Sequence, residues 1–448
     1  MLRSLFAATT FVAFTACHTY APAPVDLDAW RAVFAARSDL VRDASADATS
    51  PFRGDLADGI DLGEARQLAA WLHPECRSAR AAAGVAKVAF EQSGRLPDPE
   101  LGVDVERIVE SVAHPWIVAG ELGLTIPLSG RLGASEALAR ERHGEALALA
   151  LAVEVDVRRR CELAVVRLAA ARERATLLHE LVQQVTALET IGRRLEAANE
   201  VTAAAARTFT LERVQREGEL LLADAALAAA ELECRRETGL PPDAAVTFTP
   251  TFDVDPAPAT PEARREQLPA SVRVLFLRAR HEVAERSLAL AVSEQWPDLV
   301  LRPGGGEEDA QPRASLGFTI PLPLWNGNTA AIHEARARRD EAAEALRGGY
   351  ETALQDLGTA ELRLATAERH LAFAAERLAP LAAQQVADCR RLAELGQLEP
   401  LLILDAVVRD HGARDLVIAA RLARAEAAIA ANAMFARTES AAHRTEPR

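Results

Sequence analysis

Three His-Glu pairs offer the first chemistry to test. His179-Glu180, His281-Glu282 and His333-Glu334 each begin the spacing that sets two imidazoles one helical turn apart around zinc, with the Glu as base. The position that should carry the second imidazole is Gln183, Glu285 and Ala337, so none completes the set. They read as polar pairs on helix surfaces. Gly304-Gly305-Gly306 has the look of a phosphate loop, yet no Lys-Ser or Lys-Thr follows. Glu307, Glu308 and Asp309 would repel a phosphate, so the run reads as a flexible acidic loop at a hairpin tip. Cys76, Cys161, Cys234 and Cys389 are scattered without metal-ligand spacing and read as small buried seam residues. Neither a catalytic triad nor a metal or cofactor site emerges, and the chain reads as a non-enzyme.

Cys17 is the exception among the cysteines. Met1-Leu2-Arg3 is a short basic start, and Leu5 to Phe14 is an apolar run too short to span a bilayer. Phe14-Thr15-Ala16-Cys17 then resembles a bacterial lipobox, with Phe14 where Leu is usual. The expectation is a signal peptide over 1–16 and a lipid on Cys17, the alternative being ordinary cleavage near Ala21 or Ala23. Both mean export. His18 follows Cys17, where an Asp would retain a lipoprotein at the inner membrane.

The elements that carry these residues are unusual. Aromatics make up 4% of the 448 residues, and Ala, Leu, Glu and Arg fill most of the length. Such a mixture favours long helices with thin seams over thick globular cores. A formal net charge of −14, with no basic stripe, argues against nucleic acid as a partner. No Pro falls between Leu128 and Pro241, so Arg131 to Ala198 would run as one helix of about 100 Å. "ALALALAVEVDV", from Ala146, alternates like a strand but lacks bounding turn residues and is read as helix. Pro380 should kink or break the corresponding helix later in the chain.

The plan is duplicated. "LGLTIPLSG" from Leu122 and "LGFTIPLPLWNG" from Leu316 each follow a single helix and a first strand candidate, and each leads into a long helix. Each long helix meets a break, "ANEVT" or "LGQLEP", and then a second long helix. This divides the chain into a first repeat over 58–245, a linker over 246–261 and a second repeat over 262–435. An N-terminal extension over 17–57 and a disordered tail over 436–448 flank them. The strand candidates alternate apolar and small or polar residues over roughly 9–11 positions, a membrane-strand length. A half-buried strand of a soluble sheet would alternate in the same way; in a membrane, four strands cannot close a barrel and open edges cannot sit in lipid, so several chains would have to share one barrel.

In order, spacing and duplication these motifs resemble the TolC-like outer membrane factor family, in its lipoprotein branch. "DGIDLGEARQLAAWLHPE", "LPDPEL", "LGLTIPLSGR", "NEVT" and "TGLPP" carry the first half, and "WPDL", "LGFTIPLPLWNG" and "ELGQLEPLLILDA" the second. The resemblance covers roughly Asp58 to Phe435. It implies a mainly α fold with membrane β: duplicated helical hairpins forming a trimeric α-barrel, and four strands per chain in a shared twelve-stranded barrel. It implies a passive duct of a tripartite efflux or type I secretion system in the outer membrane of a Gram-negative bacterium. A periplasmic adaptor, also called a membrane fusion protein, and an inner-membrane pump such as an RND transporter would be its partners. Leu124, Ile126, Phe318 and Ile320 should face lipid, and Thr125 and Thr319 the lumen. Asn199, Glu200, Gly396, Gln397 and Glu399 should form the adaptor-facing tips. Asp405 and Leu402 should line the periplasmic gate. A helical-hairpin adaptor and a structural coiled-coil lipoprotein are the competing readings; the first has a single hairpin unit and the second would lack the "LTIPL" strands.

Overall fold

The computed structural model describes residues 20–46, 52, 54, 58–109, 116–254, 260–308, 311–395, 397 and 399–435. Two short N-terminal helices come first, α1 (Leu27–Ala35) and α2 (Arg37–Ala46). The first repeat follows as α3 (Leu62–Leu72), α4 (Pro74–Glu91), β1 (Glu100–Arg107), β2 (Trp116–Ile126), α5 (Arg131–Ala197) and α6 (Ala203–Thr238). A short helix α7 (Pro261–Gln267) and a 3-10 turn lead into the second repeat. That repeat runs α8 (Val272–Ser293), β3 (Leu299–Glu308), β4 (Gln311–Thr319), α9 (Thr329–Phe373), α10 (Ala379–Glu394) and α11 (Pro400–Ala433). None of the helices is both long and apolar enough to cross a membrane, among the described residues.

Local chemistry sets the boundaries. Asp61 caps α3 in a reciprocal capping box with Glu64, each side chain reaching the other's backbone N–H. Pro74 opens α4 at a position where its missing N–H costs nothing, and with His73 extended before it the single helix expected ahead of β1 is two. α5 is one unbroken helix of 67 residues, including the alternating stretch from Ala146. Its counterpart is interrupted: a π-helical turn, Ala374–Leu378, separates α9 from α10 just before Pro380. Proline has no N–H to give to the preceding turn, and the backbone absorbs the loss by widening.

The helices pack as a bundle with no thick centre. Its largest apolar cluster lies where α3 crosses α5 and the end of α6, and includes Leu68, Leu72, Val157, Cys161, Val165 and Leu168. The segment between the repeats is packed as well. Phe248 is buried in this cluster and bridges in parallel to Ile60. A second cluster, with Leu181, Val185, Phe209, Val386, Leu404 and Val407, zips the far ends of α5, α6, α10 and α11 together.

The sheet is a four-stranded antiparallel meander in the order β1-β2-β3-β4. It corrects two expectations. Gly304, Gly305 and Gly306 do not form a loop at a hairpin tip; they lie inside β3, paired on one side with Glu121, Gly120 and Ala119 and on the other with Ser315, Ala314 and Arg313. A Cβ on Gly306 would fall 2.5 Å from the Val118 carbonyl oxygen, and one on Gly304 would fall 2.9 Å from that of Gly120. The neighbouring backbone crowds these two positions, which leaves no room for a side chain at either. Ile320 is the second correction. β4 ends at Thr319, the partner of Val300, and Ile320 lies beyond it. Pro321 comes next and has no N–H to continue the ladder.

Candidate functional site

Register decides what the sheet can do, because directly paired residues share a face. Leu101 pairs with Leu122, Val105 with Val118, and Leu124 with Leu301, which itself pairs with Phe318; Ile126 pairs with Leu299. These pairs make one largely apolar face, whose charged exception within the β2–β3 ladder is Glu307, the partner of Val118. The face is uncovered: Leu101 is 77% exposed, Val103 63% and Phe318 72%. The opposite face carries Glu100, Asp104, Glu106, Thr125, Ser315 and Thr319, and an ion pair of 2.8 Å between Glu121 and Arg302. Thr125 pairs with Val300, and Val300 with Thr319, so both threonines stand on this face.

Aromatics bracket the apolar band. At one end Arg107 sits over the Trp116 ring at 5.5 Å. At the other end the exposed Trp296 lines a pocket with Leu128, Pro297 and Ile320, and the exposed Trp325 follows the end of β4 by six residues. β2 crosses the band with 11 residues. Tilted as barrel strands are, that length covers about 25 Å, the height of an outer-membrane apolar belt. Among the described residues, β1 and β4 each have one strand neighbour and leave an open edge.

Below the sheet, Arg131 at the head of α5 holds Asp298, just ahead of β3, through Nε at 3.0 Å and Nη2 at 2.7 Å. Further down, α5 and α11 are joined by a ladder of alternating ion pairs. Arg167 meets Glu426 at 2.9 Å, Glu173 meets Arg421 at 3.4 Å, and Arg174 meets Asp415 at 2.9 Å. Each is partly exposed and individually weak; together they fix which residues of the two repeats stand opposite one another.

At the tip, Asn199 takes a left-handed backbone (φ 58°). Glu200 donates its N–H to the Leu195 carbonyl at 2.8 Å, and Asn199 donates to Glu196 at 2.9 Å, the two bonds of a Schellman stop. Thr202 caps α6 by accepting from Ala205. Gln397 donates to the Leu392 carbonyl at 2.9 Å, matching Glu200, and Glu399 precedes Pro400 at the start of α11. Gly396 and Cys17 lie outside the described residues. About three turns behind Asn199, Glu189 is buried and accepts from Thr210 Oγ1 (2.6 Å), Arg213 Nε (2.8 Å) and Arg193 Nη2 (2.7 Å). The Thr210 hydroxyl and the two guanidiniums hold its carboxyl below the usual range, against the opposing effect of burial.

Asp405 and Leu402 stand three residues apart on α11, both exposed on this protomer. Asp405 has an unforeseen partner: Arg409 Nε lies 2.8 Å from its carboxylate. His179, His281 and His333 lie on three different helices, and among the described residues no group of three or more His, Cys, Asp or Glu side chains could hold a metal ion.

No protein-family model matches the sequence, nor does any curated protein. Solved structures do. The outer membrane protein VceC of Vibrio cholerae superposes with a TM-score of 0.71 at 16% identity, over 84% of this chain and 97% of its own. The Campylobacter jejuni CmeC outer membrane channel gives 0.70 at 12% identity, over 94% of this chain and 93% of its own. CusC, described for transmembrane channel formation, gives 0.69 at 12% identity over 85% and 93%. The chain has the fold of the TolC-like outer-membrane channels. In a channel of this fold the uncovered sheet and the long bundle need no globular core. Two long-range ion pairs are invisible to local sequence patterns. Arg131 and Asp298 are 167 residues apart, and the Glu121–Arg302 pair depends on a β2–β3 register that no local pattern encodes.

Proposed function

We propose that three copies of this chain form an outer-membrane efflux duct. The observation that carries this reading is the sheet: an uncovered, largely apolar face with open edges at β1 and β4. Such a sheet is tenable in lipid only if the edges close on other copies, because unpaired backbone groups there cost several kcal/mol each. Three copies give twelve strands, with the polar face turned inward. Exposed leucines on the helices support the same ring. Leu211, Leu221, Leu222 and Leu232 stand out on α6, and Leu362, Leu381 and Leu395 stand out on α9 to just past α10. In a closed ring, the α6 strip of one copy meets the α9–α10 strip of the next.

The helices then form a passive conduit through the periplasm. Asn199, Glu200, Gly396, Gln397 and Glu399 face a periplasmic adaptor, which links the duct to an inner-membrane pump such as an RND transporter. Leu402 and Asp405 from three copies form the gate, with a lipid on Cys17 as a second hold on the outer membrane of a Gram-negative cell. No chemical step is assigned. The test is the mass of the detergent-solubilised protein, together with ion conductance in a planar bilayer. A particle of three times the mass of the processed chain that conducts supports the duct; a water-soluble monomer that does not insert overturns it.

A further inference from the structure

Among the described residues, the adjoining α2 is the one element against which helix α1 packs extensively. None of the residues of α1 is buried; Leu27 is 70% exposed, Trp30 60% and Val33 67%. A helix of nine residues is marginal in water by itself and needs an apolar surface to hold it. The chain is tied down just after α1, where Arg37 Nη1 donates to the Gly239 carbonyl at 2.7 Å.

That tie fixes the depth of α1. Gly239 ends α6, and the adjacent Glu237 lies 3.8 Å from Arg160. Arg160 stands 29 residues into α5, about 44 Å beyond the sheet at the rise of an α-helix. α1 extends only about 14 Å from its tie, so the bilayer is out of reach as its cover. On α9, Gly358 stands the same 29 residues past the helix start. It has open space where a Cβ would be, and it lies one turn from Leu354 (39% exposed) and one turn from Leu362 (64%). These three positions share one stripe of α9. The stripe continues the proposed subunit seam upward from the level at which α6 stops.

We propose that α1 is a strap that carries the seam past the end of α6, laying Leu27 and Trp30 on the Leu354–Gly358–Leu362 stripe of the next copy in the ring. The inference rests on the ring proposed above. It supplies what each exposed surface lacks. The short helix gains a partner, and the notch at Gly358 receives an indole at the matching depth.

Two differently tagged full-length chains, one carrying Trp30→Cys and the other Gly358→Cys, are coexpressed and oxidised in detergent. A parallel pair, Leu232→Cys with Leu362→Cys, reports on the seam itself. The expected result is a disulfide-linked dimer bearing both tags for each pair. If the particle has the trimer mass but the Trp30–Gly358 pair gives no mixed-tag dimer, the strap is wrong and the ring stands. If a single chain carrying both Trp30→Cys and Gly358→Cys closes only on itself, α1 folds back on its own subunit and the strap is likewise wrong. If no trimer forms, the ring fails and takes the strap with it.

Discussion

Arg131 grips Asp298 with two parallel hydrogen bonds, 3.0 and 2.7 Å long, across 167 residues of sequence. The pair joins the head of the first long helix to the entry of the first strand of the second repeat. Neither side chain is fully buried, with 30% and 24% of their side-chain surfaces exposed, so the pair gains less than a desolvated one but more than a free surface contact. Asp298→Ala should lower stability by about 1–2 kcal/mol. A double-mutant cycle with Arg131→Ala should show coupling of about 1 kcal/mol in thermal or denaturant unfolding. Additive effects would mean that the two residues act separately.

The two faces of the sheet should respond differently to the same substitution. Phe318 lies in the apolar row with Leu124 and Leu301, whereas Thr319 lies on the face that carries Glu121 and Arg302. Phe318 is the next-to-last residue of β4, close to the Trp296 end of the band, so Arg at position 318 should cost about 1 kcal/mol. Thr319→Arg should leave assembly almost unchanged. Trimer yield in detergent reads both, and equal losses would refute the assignment of faces.

What the sequence displayed and what it hid follow from the range of the forces involved. Helices as long as α5 declare themselves through an absence of Pro and a sustained Ala-Leu-Glu-Arg composition, and "LGLTI" declares its alternation within five residues. Local chemistry is enough for both. Gly304-Gly305-Gly306 misleads for the same reason: Gly and acid are local turn signals, yet what selects Gly there is the carbonyl of Val118 in another repeat. Arg409 is the reverse case. It stands one turn after Asp405 on the same helix, a spacing visible in sequence, and its partnership follows from helix geometry alone.

The buried thiols should be inert. Burial pushes Cys234 up to about 12 and Cys76 up to about 11. Cys161, enclosed beside Cys234, is raised well above the ordinary thiol value. The reactive thiolate is therefore scarce at pH 8 as well as sterically shielded. A maleimide should leave these three unlabelled in the folded protein and label all of them in denaturant. Native labelling within minutes would mean that this junction opens readily.

Glu189 should make the helical hairpin acid-sensitive. Its folded carboxyl is held below the value it would have in an unfolded chain, chiefly by the Thr210 hydroxyl. A depressed carboxylate contributes stability that is fully present above the unfolded pKa, about 4.3. That contribution is lost as pH falls through the lower, folded value. Glu189→Gln should be less stable than the wild type at neutral pH, and the gap should narrow in acid. Denaturation midpoints at pH 7 and pH 3 read this; a gap independent of pH would remove the ionised carboxylate from the explanation.

Arg409 changes what is expected of the proposed gate. A ring of three Asp405 carboxylates alone would favour cations. With each carboxylate 2.8 Å from an Arg409 guanidinium, much of that charge is balanced, and Leu402 contributes only an apolar collar. Asp405→Ala should then reduce cation preference, because it leaves Arg409 as a net positive ring. Arg409→Ala should increase cation preference, because it leaves the carboxylates unopposed. The two shifts in reversal potential across a salt gradient in a planar bilayer should have opposite signs. Block by multivalent cations from the periplasmic side should weaken in the first variant and strengthen in the second. If neither substitution moves the reversal potential, the pair lies outside the pore, and Asp405 is an ordinary solvated residue of α11.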